Sequence, residues 1–149
     1  MIFPGQRKPQ YSVSTDKAQF DVEMIYRFLT NCYWAEGVPR DVVKRSIDNA
    51  FCFGVFDREQ QVGFARVITD RATYAYIGDV FILESHRGRG LSKLLMKAIM
   101  EHPELQGLRR WSLVTNDAQS LYQQFGFSPL SSPHNYMEFV NADIYKKER

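Results

Sequence analysis

Asp79-Val80-Phe81-Ile82-Leu83-Glu84-Ser85-His86-Arg87-Gly88-Arg89-Gly90-Leu91-Ser92 is the stretch on which the fold turns, and it reads strand, turn, helix. Val80 to Leu83 is a short apolar run of strand length. Glu84 to Gly90 is polar and twice interrupted by glycine. Leu91 then opens a helical stripe with Leu94, Leu95, Ala98 and Ile99, while Ser92, Lys93, Lys97 and Glu101 lie off it. Pro103 ends the pattern. Two glycines at a helix start bare several backbone N–H groups. With the positive end of the helix they form an anion site suited to a diphosphate, and Arg87, Arg89 and Lys93 add cations nearby. The same glycines would also serve a plain tight turn, and spacing alone does not choose between the two. The motif lacks the Gly-Lys-Ser/Thr ending of a P-loop and the third glycine of a dinucleotide fold.

Upstream, Tyr11 to Ser14 alternates like an edge strand, after a loose lead-in over residues 1–10 that holds two prolines and a glycine. Asp21 opens a helical pattern with Val22, Ile25, Tyr26, Leu29 and Tyr33 on one face. Gly37-Val38-Pro39 breaks it, and a shorter helix follows with Val42, Val43 and Ile47 inward. Ala50 to Phe56 is a continuous apolar run, a strand buried on both faces. Asp57 to Gln60 turns it into a second strand from Gln61 to Ile68. Thr73 to Leu83 is again β-rich, and Gly78 within it marks a bulge or a close backbone approach. Downstream, Trp111 to Val114 reads as a strand, Asp117 to Phe125 as a helix closed by Gly126, and Tyr136 to Val140 as a last strand. Residues 141–149 form a polar C-terminal tail. No repeat, low-complexity tract or linker divides the chain, so residues 1–149 read as a single α/β domain.

With 149 residues the chain can bury a real core, and 44% hydrophobic with 24% charged residues excludes a mainly disordered protein. A net charge of only +2 argues against a nucleic-acid partner. Cys32 and Cys52 sit in apolar surroundings and read as buried free thiols of a reducing compartment. His86, His102 and His134 share no ligand spacing with them, so no metal is expected. No segment approaches membrane-spanning length and the N-terminus lacks a signal-type apolar run. A soluble, cytoplasmic protein with no membrane partner is the expectation.

Val80-Phe81-Ile82 followed by Arg87-Gly88-Arg89-Gly90-Leu91-Ser92 resembles the acyl-CoA-binding motif of the GNAT acetyltransferase superfamily, Arg/Gln-x-x-Gly-x-Gly/Ala. Arg87 and Gly90 match, and Ser92 stands where Gly or Ala is usual. Asn116-Asp117-Ala118-Gln119-Ser120-Leu121-Tyr122-Gln123-Gln124-Phe125-Gly126-Phe127 is similar to the family's second motif, with its alanine one position early. The hairpin from Phe53 to Val67 is also family-like. The likeness spans roughly residues 10 to 140, with its diagnostic residues between 80 and 127.

The resemblance implies a GNAT-like α/β (α+β) domain: a mixed central sheet with a splayed strand pair, flanked by helices on both faces. It implies N-acetyl transfer from acetyl-CoA to a primary amine of a small molecule or peptide, by direct attack in a ternary complex. Acetyl-CoA is then the co-substrate, its diphosphate on the amides from Arg87 to Ser92 (Arg87, Gly88, Arg89, Gly90, Leu91, Ser92). Its pantetheine arm would lie on the backbone of Val80, Phe81 and Ile82, where that strand splays from the one around Leu113. Asn116 matches a cofactor-contacting position, with a helix N-cap as its competing role. Tyr122 occupies the general-acid position: a phenol with pKa near 10 stays protonated and can serve the departing thiolate, although it also reads as a packing residue.

By the same resemblance the acceptor pocket draws on Tyr33, Trp34, Ala35 and Glu36, with Tyr74 and Tyr76 further along; a Tyr-Trp pair suits a cationic or aromatic amine. Asp79 is both an acceptor-site residue and, with Glu84 or a water chain, one of the open choices for a base. A non-catalytic acyl-CoA-binding or sensor module on the same fold is the alternative function. Monomer and homodimer both remain open, as does acetyl against a longer acyl group.

Overall fold

The computed structural model describes residues 9–146; the first eight residues of the expected lead-in and the last three of the expected tail lie outside the described residues. Five strands form one sheet in the order β1 (Tyr11–Ser14), β2 (Phe51–Asp57), β3 (Gln60–Thr69), β4 (Tyr74–Ile82), β5 (Arg110–Leu113). The first four pair antiparallel in sequence order, as short turns require. β4 and β5 are parallel, because α3 (Leu91–Glu101) carries the chain back along the sheet between them. The mixed sheet and its flanking helices are the expected fold class.

The apolar run of β2 divides its side chains by the period of two. Phe51, Phe53 and Val55 join Val62, Ala65, Val67, Leu95, Met96 and Ile99 under α3. Cys52 and Phe56 face the other way, with Phe64, Ile25, Leu29, Val43 and Ile47, under α1 (Val22–Asn31) and α2 (Arg40–Asp48). Burial of β2 on both faces is therefore what the sequence suggested. Gln61 is the buried polar side chain among the described residues, and it is fully used. Its Oε1 accepts from the Asp21 amide at 2.7 Å and its Nε2 donates to the Gly63 carbonyl at 3.0 Å, tying the start of α1 to β3. Asp21 in turn caps α1 by accepting from the Met24 amide at 3.0 Å.

Several sequence expectations are corrected. Tyr136 to Val140 forms no strand: it lies beyond the sheet edge without a ladder partner, and Met137 and Phe139 are exposed. The helix expected from Asp117 is the shorter α4 (Gln119–Gln123). The bulge in β4 does not fall on Gly78 but beside it, on Asp79. Tyr33 lies past the end of α1 and is exposed. Met96 replaces Leu94 and Ala98 as a fully buried member of the α3 stripe, because a helix packed on a curved sheet buries a wider arc than one row. Cys52 is buried, and burial pushes its thiol up to about 11, but Cys32 is only half-buried.

Candidate functional site

The turn between β4 and α3 is built to leave donors unused. A single 3-10 turn, Glu84–His86, follows β4, and then Gly88 and Gly90 take left-handed backbone at φ 76° and 75°. Gly90 is the N-cap of α3 and no side chain caps the helix. Among the described residues, none of the amides from Gly88 to Lys93 donates to a protein acceptor. A Cβ placed on either glycine would meet nothing within 4 Å, so the space beside both glycines is open. Unsatisfied amides at a helix start, with room beside them, form a cradle for an anion.

The side chains around the turn hold its shape. Arg87 Nε donates to the Ile82 carbonyl at 3.1 Å, and Arg89 donates to the Tyr11 hydroxyl at 2.8 Å and the Ser85 carbonyl at 3.3 Å. His86 Nε2 meets Asp57 Oδ2 at 2.8 Å, and its Nδ1 shares a 2.7 Å hydrogen bond with Ser85 Oγ. The His86 contact holds the Asp57 carboxyl below its ordinary range. The two arginines thus lend charge while their side chains brace the loop.

Upstream of the turn the sheet opens. β4 and β5 pair from Tyr74↔Arg110 to Ile77↔Leu113 and then part, leaving the Gly78–Ile82 half of β4 without a partner on that side. The cause is a register shift against β3: Phe64 pairs with Phe81 and Arg66 with Gly78, so β4 carries one residue more than β3 there. The extra residue sits at Asp79, whose φ is 53°. Its carboxylate accepts from Trp34 Nε1 at 2.9 Å and from Arg66 Nε at 2.8 Å, an ion pair whose side chains are only 12% and 21% exposed.

This gap opens into a cavity of about 500 Å³ whose lining includes Trp34, Arg66, Tyr76, Asp79, Tyr122 and Tyr145. Tyr122, on α4, is 8% exposed and packs edge-on against Phe127. Its hydroxyl makes no hydrogen bond among the described residues, yet no buried polar side-chain atom there lacks a partner. The hydroxyl is therefore exposed, and Tyr122 lines both this cavity and a second groove beside β5. Burial, and secondarily the Asp117 charge, raise its pKa, so the phenol keeps its proton. Val80, Asn116, Tyr33 and Ala35 also line the cavity. Asn116 caps nothing: Thr115 Oγ1 takes the Ala118 amide at 3.0 Å, and α4 has no side-chain cap at its own N-cap, Ala118.

Tyr74, Glu36 and Glu84 stand apart from the cavity; Tyr74 bonds Ser112 through their hydroxyls at the closed end of the β4–β5 pair. Arg66 and Tyr145 are among the lining residues that sequence reasoning did not single out. Arg66 is a lone charge within the apolar strand Phe64-Ala65-Arg66-Val67, a signal that a partner must exist. Tyr145 belongs to the segment read as a polar tail, but it is half-buried and its backbone closes on Gly37 in the loop between α1 and α2. No cluster of metal-binding side chains occurs among the described residues, and no helix there is long and apolar enough to cross a membrane.

Known proteins resemble this chain along most of its length. Residues 48–129, which hold the turn, the splayed strands and α4, match the acetyltransferase (GNAT) domain family. A Gibberella zeae chain that carries an acetyltransferase name is 32% identical over 135 aligned residues, covering 75% of this chain and 75% of its own. The crystal structure of a chain assigned to the GNAT family from Xanthomonas campestris pv. campestris is 50% identical. It superposes with a TM-score of 0.90, covering 93% of this chain and 99% of that one. Glucosamine-6-phosphate N-acetyltransferase from Arabidopsis thaliana, at 16% identity and a TM-score of 0.63, shares the fold.

Proposed function

The chain belongs to the GNAT acetyltransferase family, and from that premise we propose that it moves an acetyl group from acetyl-CoA to a primary amine of a small molecule or peptide. One observation carries the reading: β4 parts from β5 immediately upstream of a turn whose amides are bare. A long ligand with a diphosphate at one end and an amide-rich arm at the other fits that arrangement. The amides of Gly88, Arg89, Gly90, Leu91 and Ser92 hold the diphosphate; the Arg87 amide already donates to the Glu84 carbonyl at 3.3 Å, so Arg87 contributes its charge. The freed edge of Val80, Phe81 and Ile82 bonds the arm as a neighbouring strand would, and Asn116 contacts the ligand from the facing loop.

Acetyl-CoA supplies a thioester carbonyl that an amine can attack. The amine nitrogen bonds to that carbon, the C–S bond breaks, and the sulfur leaves with its electron pair. Tyr122, kept protonated by burial, gives its proton to the departing thiolate and recovers one from solvent. Trp34 and Tyr33 form the aromatic wall for the acceptor, ring centroids 5.2 Å apart and edge-on. Asp79 shapes that wall by holding the Trp34 indole; its carboxylate is committed to Trp34 and Arg66, which favours loss of the amine proton to water over a carboxylate base. With two free cysteines and no long apolar helix among the described residues, the cytoplasm is the compartment the reading favours.

Release of free CoA across a panel of primary amines tests this. At least one amine class is turned over, and Tyr122→Phe lowers kcat ten-fold or more while CoA affinity stays unchanged. CoA binding without acetylation of any amine contradicts it, and turnover that is indifferent to Tyr122→Phe removes Tyr122 from the step.

A further inference from the structure

Gly78 is a glycine within β4 that the diphosphate turn does not account for. It pairs with Arg66 on β3, and Arg66 pairs with Cys52 on β2, so all three lie on the sheet face under α1 and α2. Tyr76 is two positions from Gly78 and shares that face. A Cβ on Gly78 would stand 3.2 Å from Tyr76 Cε1, a crowded distance. The Tyr76 ring therefore lies over the glycine, beside the position of Arg66. Both side chains line the cavity of about 500 Å³.

Both also bring donors to it. Arg66 is the one basic side chain of the cavity wall among the described residues. Its Nε donates to Asp79 Oδ2 at 2.8 Å, and Asp79 is the partner that holds it among those residues. A guanidinium has five N–H groups, more than one carboxylate can take. The Tyr76 hydroxyl makes no hydrogen bond among the described residues, and no buried polar side-chain atom there lacks a partner. The spare donors of both groups are thus open to solvent. Burial, and after it the Asp79 charge, raise the Tyr76 pKa, so this phenol stays a donor.

We propose, resting on the reading that a primary amine is acetylated in this cavity, that the acceptor is an amino carboxylate whose carboxylate is held by the Arg66 guanidinium and the Tyr76 hydroxyl. A planar fork beside a phenol suits a carboxylate, since charge-assisted hydrogen bonds are the strong ones. Asp79 already offsets the single positive charge of Arg66, so a monoanion is tolerated where a dianionic phosphate is repelled. The amine end has its own place. Asp117 and Tyr122 line the same cavity but follow β5, with β4 between them and Arg66. The Asp117 charge attracts an ammonium group to the neighbourhood of the Tyr122 phenol. One molecule bearing both charges thus meets an acid at one part of the wall and a base at another.

Matched pairs of acceptors test this: phenylalanine with phenethylamine, leucine with isoamylamine, γ-aminobutyrate with propylamine, and phosphoethanolamine as the dianion. Within at least one pair the acid is preferred roughly ten-fold or more in kcat/KM, mainly through KM, and phosphoethanolamine is not preferred over the carboxylates. Arg66→Lys keeps the charge but loses the fork, and lowers the acid-over-amine ratio by roughly ten-fold. Tyr76→Phe keeps the ring over Gly78 and lowers the ratio by roughly three-fold or more. Calorimetric titration of the same pairs into the protein with CoA reads binding without turnover. If no amine is acetylated, the acetyl-transfer reading fails, and the titration still decides the carboxylate site by the same ratios. Acids that bind and react no better than their amines overturn the proposal. So does a preference that survives both variants, or one that goes to phosphoethanolamine.

Discussion

Asp79 stands in left-handed backbone at φ 53°, where a side chain with a Cβ is strained unless its surroundings hold it. They do so through two hydrogen bonds, from Trp34 and from Arg66, on the aromatic loop and on the next strand. Removing the carboxylate leaves a half-buried guanidinium and an indole N–H without their acceptor. Asp79→Ala is expected to lose roughly 1–3 kcal/mol of stability in urea unfolding. Asp79→Asn is expected to lose less, because its amide oxygen still accepts from Trp34 and asparagine tolerates this backbone region. Equal losses from both variants would mean that the charge, not the geometry, holds the bulge. At this scale the sequence was legible only where a motif spoke. Tyr122 and Asn116 stood out by their place in a pattern. Arg66 announced that it needed a partner, but its partner is thirteen positions away across an irregular strand. Tyr145 had no periodicity around it to mark it as half-buried.

The element that matters most is the strand-turn-helix unit of β4 and α3. Its two glycines are required because the backbone turns left-handed twice while the amides stay uncovered. Gly90→Val adds a branched side chain both to a strained φ and to the open space beside the turn. Gly90→Asn separates these two effects, since asparagine accepts the backbone but still fills the space. Both variants are expected to weaken acetyl-CoA binding at least ten-fold, and Gly90→Asn to do so with a thermal midpoint near that of the wild type. If Gly90→Asn binds acetyl-CoA normally, the amides of this turn do not hold the diphosphate. Elements with strong periodicity were readable: β2 as a strand buried on both faces, α3 by its leucine stripe, the β2–β3 hairpin by its polar turn. Two features were not, for one reason. Neither the bulge position nor the fate of Tyr136 to Val140 is set by local pattern. The bulge depends on register against β3, and a strand-like segment becomes a strand only when an edge is there to receive it.

At the scale of the described molecule, a sheet covered on both faces by helices opens where β4 and β5 separate. Tyr122 lies on the wall of that opening, and the Gly88–Gly90 turn follows the freed half of β4 along the chain. Fold class and family followed from the two motifs in their right order; a choice among the proposed acceptors does not, because the cavity wall is assembled from a loop, a bulge and the C-terminal segment. A net charge of +2 adds little long-range attraction for a polyanionic ligand, so affinity must come from the local geometry of the turn and the splay. Calorimetric titration with acetyl-CoA, with ATP as the phosphate-bearing control, addresses that directly. Saturable acetyl-CoA binding at micromolar concentration, with no heat from ATP, is the predicted result. A folded protein that takes up no acetyl-CoA, or binds ATP as well, would contradict the account and return the Gly88–Gly90 turn to plain architecture.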